Sequence, residues 1–364
     1  MTDQVDSITP EDLSSASSST VSGPTLIDVV RNIPDSCYER STTRGLYFVA
    51  RDFIIYAALV FGLITVHAWW LVIPMWLLTG LCISGIFVLG HDASHNALFE
   101  SRKLNTFIAR LAMLPSAHIE SAWDFGHNRV HHGHTVKQGM DFVWHPSTRD
   151  DWSNMSWYRR LQHRVEWSAI GAGLYYGRNV WWNKMMRFRA EGKLGSVIAR
   201  DRRVMVGILV AAAGAVGYAG WHDSGTIWGV AWMITKVVIV PWMLFTWMIG
   251  FVVYVQHINR DIRWYPRREW SKFKGQMEGT TNLRVSRLLN FFVPNIFTHV
   301  PHHVDMRIPF YKLPAAMRAI ENSFPRVAIT KKLRMRDYLS TTSQCKVYDF
   351  DAGVWSTYPT KRAA

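Results

Sequence analysis

Charge is scarce in this sequence: Asp, Glu, Lys and Arg make up 19% of the 364 residues, against about 25% in soluble globular chains. Acids are the scarcer sign, 27 against 41 bases, leaving a formal net charge of +14. Cysteine is almost missing. Cys37, Cys82 and Cys345 stand far apart, so they build neither a disulfide framework nor a CxxC zinc site. The first 25 residues hold four acids, no Lys or Arg and no apolar core. That excludes a secretory signal and reads as part of a disordered cytosolic tail over residues 1–27. A basic excess by itself suits a nucleic-acid binder, but such proteins carry their charge on soluble domains. Long uncharged apolar runs exclude nucleic acid as the partner here and call for a membrane explanation.

Between Leu46 and Gly90 the only charges are Arg51 and Asp52, a run about twice the 20 residues that one span needs. A second run, Val204 to Val255, is interrupted by Trp221, His222, Asp223, Ser224 and Gly225. The expectation is four transmembrane helices, at about 47–67, 71–90, 204–221 and 227–256. Lipid offers the backbone no partners, so spans without alternating polarity must be helical, giving an all-α integral membrane protein. Neither expected outer turn holds Lys or Arg, whereas residues 91–203 and 257–364 hold almost all of them. The positive-inside rule then puts these segments and both termini in the cytosol, across the inner membrane in a bacterium. The expected division is a membrane domain over 28–340 and a C-terminal cytosolic tail over 341–364. Leu104–Ala117 and Leu288–Val300 are too short to cross and are expected in the interface. Lys236, the one base inside a span, is expected to snorkel to the outer boundary.

Nine of the 15 histidines fall at four places: His91 and His95; His127, His131 and His132; His257; and His299, His302 and His303. Residues three and four apart share a helix face, so each cluster can direct two imidazoles at one point. The topology brings all four places to one membrane face. Imidazole suits Zn, Cu, Fe or Ni, and a structural zinc ion closes with four ligands. Nine ligands therefore point to two ions, and iron is the metal that activates O2 when positions stay open. The expected cap is a cytosolic helical layer holding a histidine-rich dimetal site. Asp92 is expected to accept the outer N–H of a ligand imidazole. Asn128 faces away from the metal and is expected to orient a carboxylate or meet a headgroup. His67, His118, His134, His145, His163 and His222 are expected to be interfacial anchors rather than ligands.

At these residues the sequence resembles the membrane fatty acid desaturase family, whose signature is three histidine boxes with such spacings. The likeness covers roughly residues 28–325. Ile33-Pro-Asp-Ser-Cys37-Tyr-Glu-Arg40-Ser41 with Arg44, Tyr47 and Asp52, Trp123 four residues before His127, Gln256-His257, and Ile308-Pro309-Phe310-Tyr311 are similar to the acyl-lipid Δ12/ω3 subgroup. The resemblance implies that two iron ions (Fe2+/Fe3+) use O2 and two supplied electrons to insert a cis double bond, Δ12/ω6-like, into a fatty acyl chain. That chain is carried by membrane lipid, CoA or ACP. No His-Pro-Gly-Gly haem motif of a fused cytochrome b5 occurs, so electrons are expected from a separate donor such as ferredoxin or cytochrome b5. Part of the basic surface, Arg159, Arg160, Arg164, Lys184, Arg187 and Arg189, is expected to steer such an acidic carrier, the rest meeting anionic lipid. The box His-Asp-Ala-Ser-His also occurs in carotenoid ring hydroxylases. A carotenoid hydroxylase or ketolase, or a fatty acyl hydroxylase or acetylenase, is the alternative on this scaffold. A His-rich metal transporter would need polar ligands within the spans, which offer almost none.

Overall fold

The computed structural model describes residues 23–359; the expected tail over residues 1–22 lies outside the described residues. A short helix at Leu26–Arg31 opens on a capping box, in which Thr25 and Asp28 cap each other's backbone N–H groups. Four long helices carry the apolar runs: α1 (Thr42–Thr65), α2 (Trp69–Ser94), α5 (Gly192–Ser224) and α6 (Ile227–His257). All four are long and apolar enough to cross a membrane. The chain breaks at Val66–Ala68 between α1 and α2 and at Gly225–Thr226 between α5 and α6, where the Thr226 hydroxyl accepts the Gly229 N–H. α5 begins well before the expected residue 204, because Lys193, Arg200, Arg202 and Arg203 extend the same helix past its apolar part.

The four helices are not equivalent. α2 and α6 pack together at the centre, where Gly80 makes the close approach possible: a Cβ there would lie 2.7 Å from the Leu244 Cβ. α1 and α5 lie outside them and turn apolar side chains outward, Ile54 and Phe61 on α1 and Val210 on α5 among them. This is how a helix pair sheathed in lipid-facing helices should look. Lys236 departs from the sequence expectation. It is buried rather than set at an exposed boundary, in a π-helical turn at Thr235–Ile239, and its ammonium donates to the Val66 carbonyl at the end of α1 (3.3 Å). That carbonyl has no intrahelical partner. A short snorkel inside the protein thus replaces a long one to water.

The rest of the chain forms a cap over one end of the bundle. Its short helices α3 (Arg102–Met113), α4 (Trp157–Glu166), α7 (Val300–Val304) and α8 (Leu313–Ser323) are joined by a two-stranded parallel pair, β1 (Thr281–Arg284) with β2 (Ile329–Lys332). At 12 residues α3 is about 18 Å long, short of the roughly 30 Å of hydrocarbon. The segment expected as a tail from residue 341 is folded across its described part. β3 (Val347–Asp349) and β4 (Val354–Ser356) form a hairpin, and Val347 and Tyr348 are fully buried, the Tyr348 hydroxyl accepting the Trp264 N–H (2.8 Å). Its apolar residues, Val347, Tyr348, Phe350, Val354 and Trp355, are too few and too irregularly spaced to stand out from the polar residues around them in the sequence.

Candidate metal centre

α2 and α6, the two central helices, end at the same level and deliver His91, His95 and His257. His127 and His131 belong to a π-helical turn, Asp124–His131, and His132 follows it. In an α-helix, residues five apart point away from each other. The wider i→i+5 turn brings residues four and five apart under the same face, so His127, His131 and His132 can all look inward. His302 and His303 sit on α7, with His299 at its N-cap.

All nine imidazoles meet. Ring nitrogens of His91, His95, His127, His132 and His302 lie within 4.8 Å of one another, and those of His131, His257 and His303 form a second such group. His299 joins the second through His303 (Nε2 to Nε2, 3.1 Å). The groups touch where the His132 and His303 rings stack, 4.5 Å between centroids.

Four of the outer nitrogens are held. The His91 Nδ1–H donates to Asp92 (3.0 Å), whose other oxygen accepts the Phe310 N–H (2.6 Å). The His131 Nδ1–H donates to Asp141 (3.0 Å), that of His257 to the Gly279 carbonyl (3.1 Å) and that of His303 to Gln276 Oε1 (2.9 Å). Each acceptor fixes the tautomer that leaves Nε2 as a lone pair facing inward. Burial, helped by the neighbouring imidazoles, holds His95, His127, His132, His299, His302 and His303 far below the usual histidine range, so they are neutral at pH 7. Burial opposes ionisation of Asp141, but His131 and the Val143 N–H outweigh it and hold the carboxyl below its usual range.

The arrangement fits metal ions. Nitrogens about 2.1 Å from one ion and at right angles lie about 3.0 Å apart, and the pairs His91–His127 and His127–His132 stand at 3.1 Å. Buried nitrogens without any protein partner, among them His95 Nε2 and His302 Nε2, are otherwise unexplained.

Asp92 lies beside His91 Nδ1. Asn128 bonds Asp124 and the Ser94 carbonyl and none of the nine imidazoles. His118 and His163, expected as interfacial anchors, are buried instead: His118 is bonded by the Ser116 carbonyl and the Tyr176 hydroxyl (both 2.8 Å), His163 by the Tyr358 hydroxyl (2.8 Å). Asp141, Gln276 and Gly279 carried no local signal in the sequence. Trp123 stacks on His127, centroids 4.1 Å apart. Below the imidazoles opens a largely apolar cavity lined by Phe87, Trp123, Val180, Ile249 and Val252, with His118, Tyr176 and Gln256 among its buried polar side chains and Lys184 as the one Lys, Arg, Asp or Glu among the described residues that line it.

Residues 68–332 match the family model described as fatty acid desaturase. The chain is 26% identical over 329 residues to an sn-1 oleoyl-lipid 12-desaturase of Picosynechococcus sp., covering 89% of this chain and 90% of that protein. It is 28% identical over 302 residues to an sn-1 acyl-lipid omega-3 desaturase (ferredoxin) of Synechocystis sp., covering 82% and 81%. An omega-6 fatty acid desaturase, chloroplastic, of Glycine max is 26% identical over 336 residues, covering 89% and 74%.

Proposed function

The chain belongs to the fatty acid desaturase family, and from that premise we propose that it inserts a Δ12/ω6-like cis double bond into an acyl chain carried by a membrane lipid. The nine histidines hold two iron ions in this proposal: one between His91, His95, His127, His132 and His302, the other between His131, His257, His299 and His303. The observation that carries it is that all nine imidazoles converge at the head of an apolar cavity. The relatives' names, 12-desaturase and omega-3 desaturase (ferredoxin), support an acyl-lipid substrate and a ferredoxin-like donor.

Bound iron with open positions supplies the activation of O2 and the removal of hydrogens from unactivated carbons. The protein's own part is positional. Asp92, Asp141, Gln276 and the Gly279 carbonyl hold imidazoles in one tautomer and one orientation, while Phe87, Trp123, Ile249 and Val252 keep water from the acyl chain. The cap carries most of the basic residues, which supports a cytosolic active site and cytosolic termini. One catalytic domain from about residue 28 through the β3–β4 hairpin completes the proposal. The relatives named above are all called desaturases, so carotenoid hydroxylation, ketolation, acyl hydroxylation and acetylenation are not favoured.

The test is fatty acid methyl ester analysis of a host expressing the protein or its His302→Ala variant. A new dienoic acid with the first and not with the second is expected; unchanged lipids in both refute the proposal.

A further inference from the structure

The metal centre must be fed electrons through the cap, and one surface of the cap reaches a proposed ligand in two contacts. The Trp270 indole N–H donates to the Thr135 carbonyl (2.8 Å), and the Thr135 hydroxyl stands 3.2 Å from His303 Nδ1. The approach is tight: a Cβ at Gly275 would lie 2.9 Å from the indole nitrogen and 3.0 Å from the Thr135 oxygen. The outer side of Trp270 is partly exposed. Lys137 places its ammonium 4.7 Å above the ring, and Arg263, Arg267, Arg268, Lys272 and Lys274 lie close to it in the sequence.

Acids offset little of that charge. Glu269 is paired with Arg263 (2.8 Å) and Glu278 accepts from the Tyr265 hydroxyl, whereas Lys137, Arg267 and Lys272 have no acidic partner among the described residues. No large apolar side chain is exposed between residues 258 and 287, so this face meets water. The basic residues of α4 differ. Arg159 and Arg164 share their helix with exposed Trp157, Leu161 and Val165, which marks a helix lying in a membrane interface.

We propose that the Trp270 surface docks a small acidic one-electron redox protein, and that its electrons pass by Trp270, Thr135 and His303 to the metal centre. This rests on the desaturase reading. Reducing O2 to two waters takes four electrons and four protons; the acyl chain gives two of each as its two hydrogens leave. The carrier must supply the other two electrons, so it docks twice per turnover, leaving oxidised each time, while solvent supplies two protons. Such a partner has to leave quickly, which favours a small, charge-steered and salt-sensitive contact over an apolar one.

The test uses the full chain in nanodiscs and a plant-type acidic [2Fe–2S] ferredoxin as probe. Lys137→Glu with Arg267→Glu should weaken ferredoxin binding at least tenfold at low ionic strength and flatten its salt dependence, with iron content unchanged. Arg159→Glu with Arg189→Glu should bind as the parent does. Trp270→Phe, which deletes the indole N–H and keeps the ring, should bind ferredoxin normally but oxidise the reduced carrier at least tenfold more slowly. Parent-like binding by the Lys137/Arg267 variant, or loss confined to the Arg159/Arg189 variant, overturns the docking surface. Unaltered carrier oxidation in Trp270→Phe overturns the route. A single turnover of the parent protein, reduced chemically with dithionite and then given O2, separates the two proposals: if it makes no olefin, the desaturase reading fails, whatever the ferredoxin does.

Discussion

Replacing Asp141 by Asn tests how far the metal centre depends on groups that never touch the metal. Asp141 is buried, and its two oxygens accept three N–H groups: His131 Nδ1 (3.0 Å), Val143 (3.0 Å) and Val136 (2.9 Å). An amide has one acceptor oxygen and a donating NH2, so at least one of these donors faces another donor. A buried donor left without a partner costs about 1–3 kcal/mol. If His131 relieves the clash by moving its proton to Nε2, the lone pair that faced His257 and His303 is lost. Removing such a partner typically lowers metal affinity 10 to 100-fold, or about 1.4–2.7 kcal/mol. Iron titration of the metal-free protein in detergent, followed by elemental analysis, should therefore show a weakened half of the site: close to one tightly held iron per chain where the parent keeps two. Two equally tight irons in Asp141→Asn would refute the reasoning, because the fixed tautomer would then not matter.

His257→Ala should lose iron and desaturation while inserting normally in the membrane, whereas His222→Ala, exposed at the far end of α5, should lose neither; equal activities would remove His257 from the proposed ligands. Burial pushes His118 and His163 down to about 4, against about 6.5 in an unfolded chain. The unfolded state alone takes up protons between those values, so each group's share of stability falls as pH drops from about 6.5 to 4, by up to about 1.4 kcal/mol per pH unit. Thermal unfolding of the detergent-held protein at a fixed scan rate should show a falling Tm over this range, with a shallower fall in His118→Asn; an identical slope contradicts the assignment. Gly80→Val forces a side chain against Leu244 and should separate α2 from α6, lowering Tm by several degrees and iron content with it; parent-like Tm would mean the helices can shift apart freely.

The spans and the histidines were legible because each is a local signal. Twenty apolar residues must be a helix in lipid, and imidazoles three or four apart share a helix face. Asp141, Gln276 and the Gly279 carbonyl were not legible, since what brings them to His131, His303 and His257 is the packing of the cap, which no window of the sequence contains. The place of His118 is hidden in the sequence for the same reason. A histidine near a membrane boundary looks like an anchor until Tyr176, 58 residues on, is seen to hold it inside the protein. The π-helical turn at Asp124–His131 has no signal in the sequence beyond the spacing of His127, His131 and His132, which needs it.

The interleaving of the two histidine groups sets an order on the making of the protein. The first group has four members by His132 but waits for His302, and the second waits for His257 and His303. About 170 residues separate His132 from His302, which at 5–20 residues per second is roughly 10–30 s of synthesis. Through that interval neither of the two proposed ligand groups is complete. Only when α7 is in place do both groups complete together, so in the proposed centre closing the cap and holding the metal become one event.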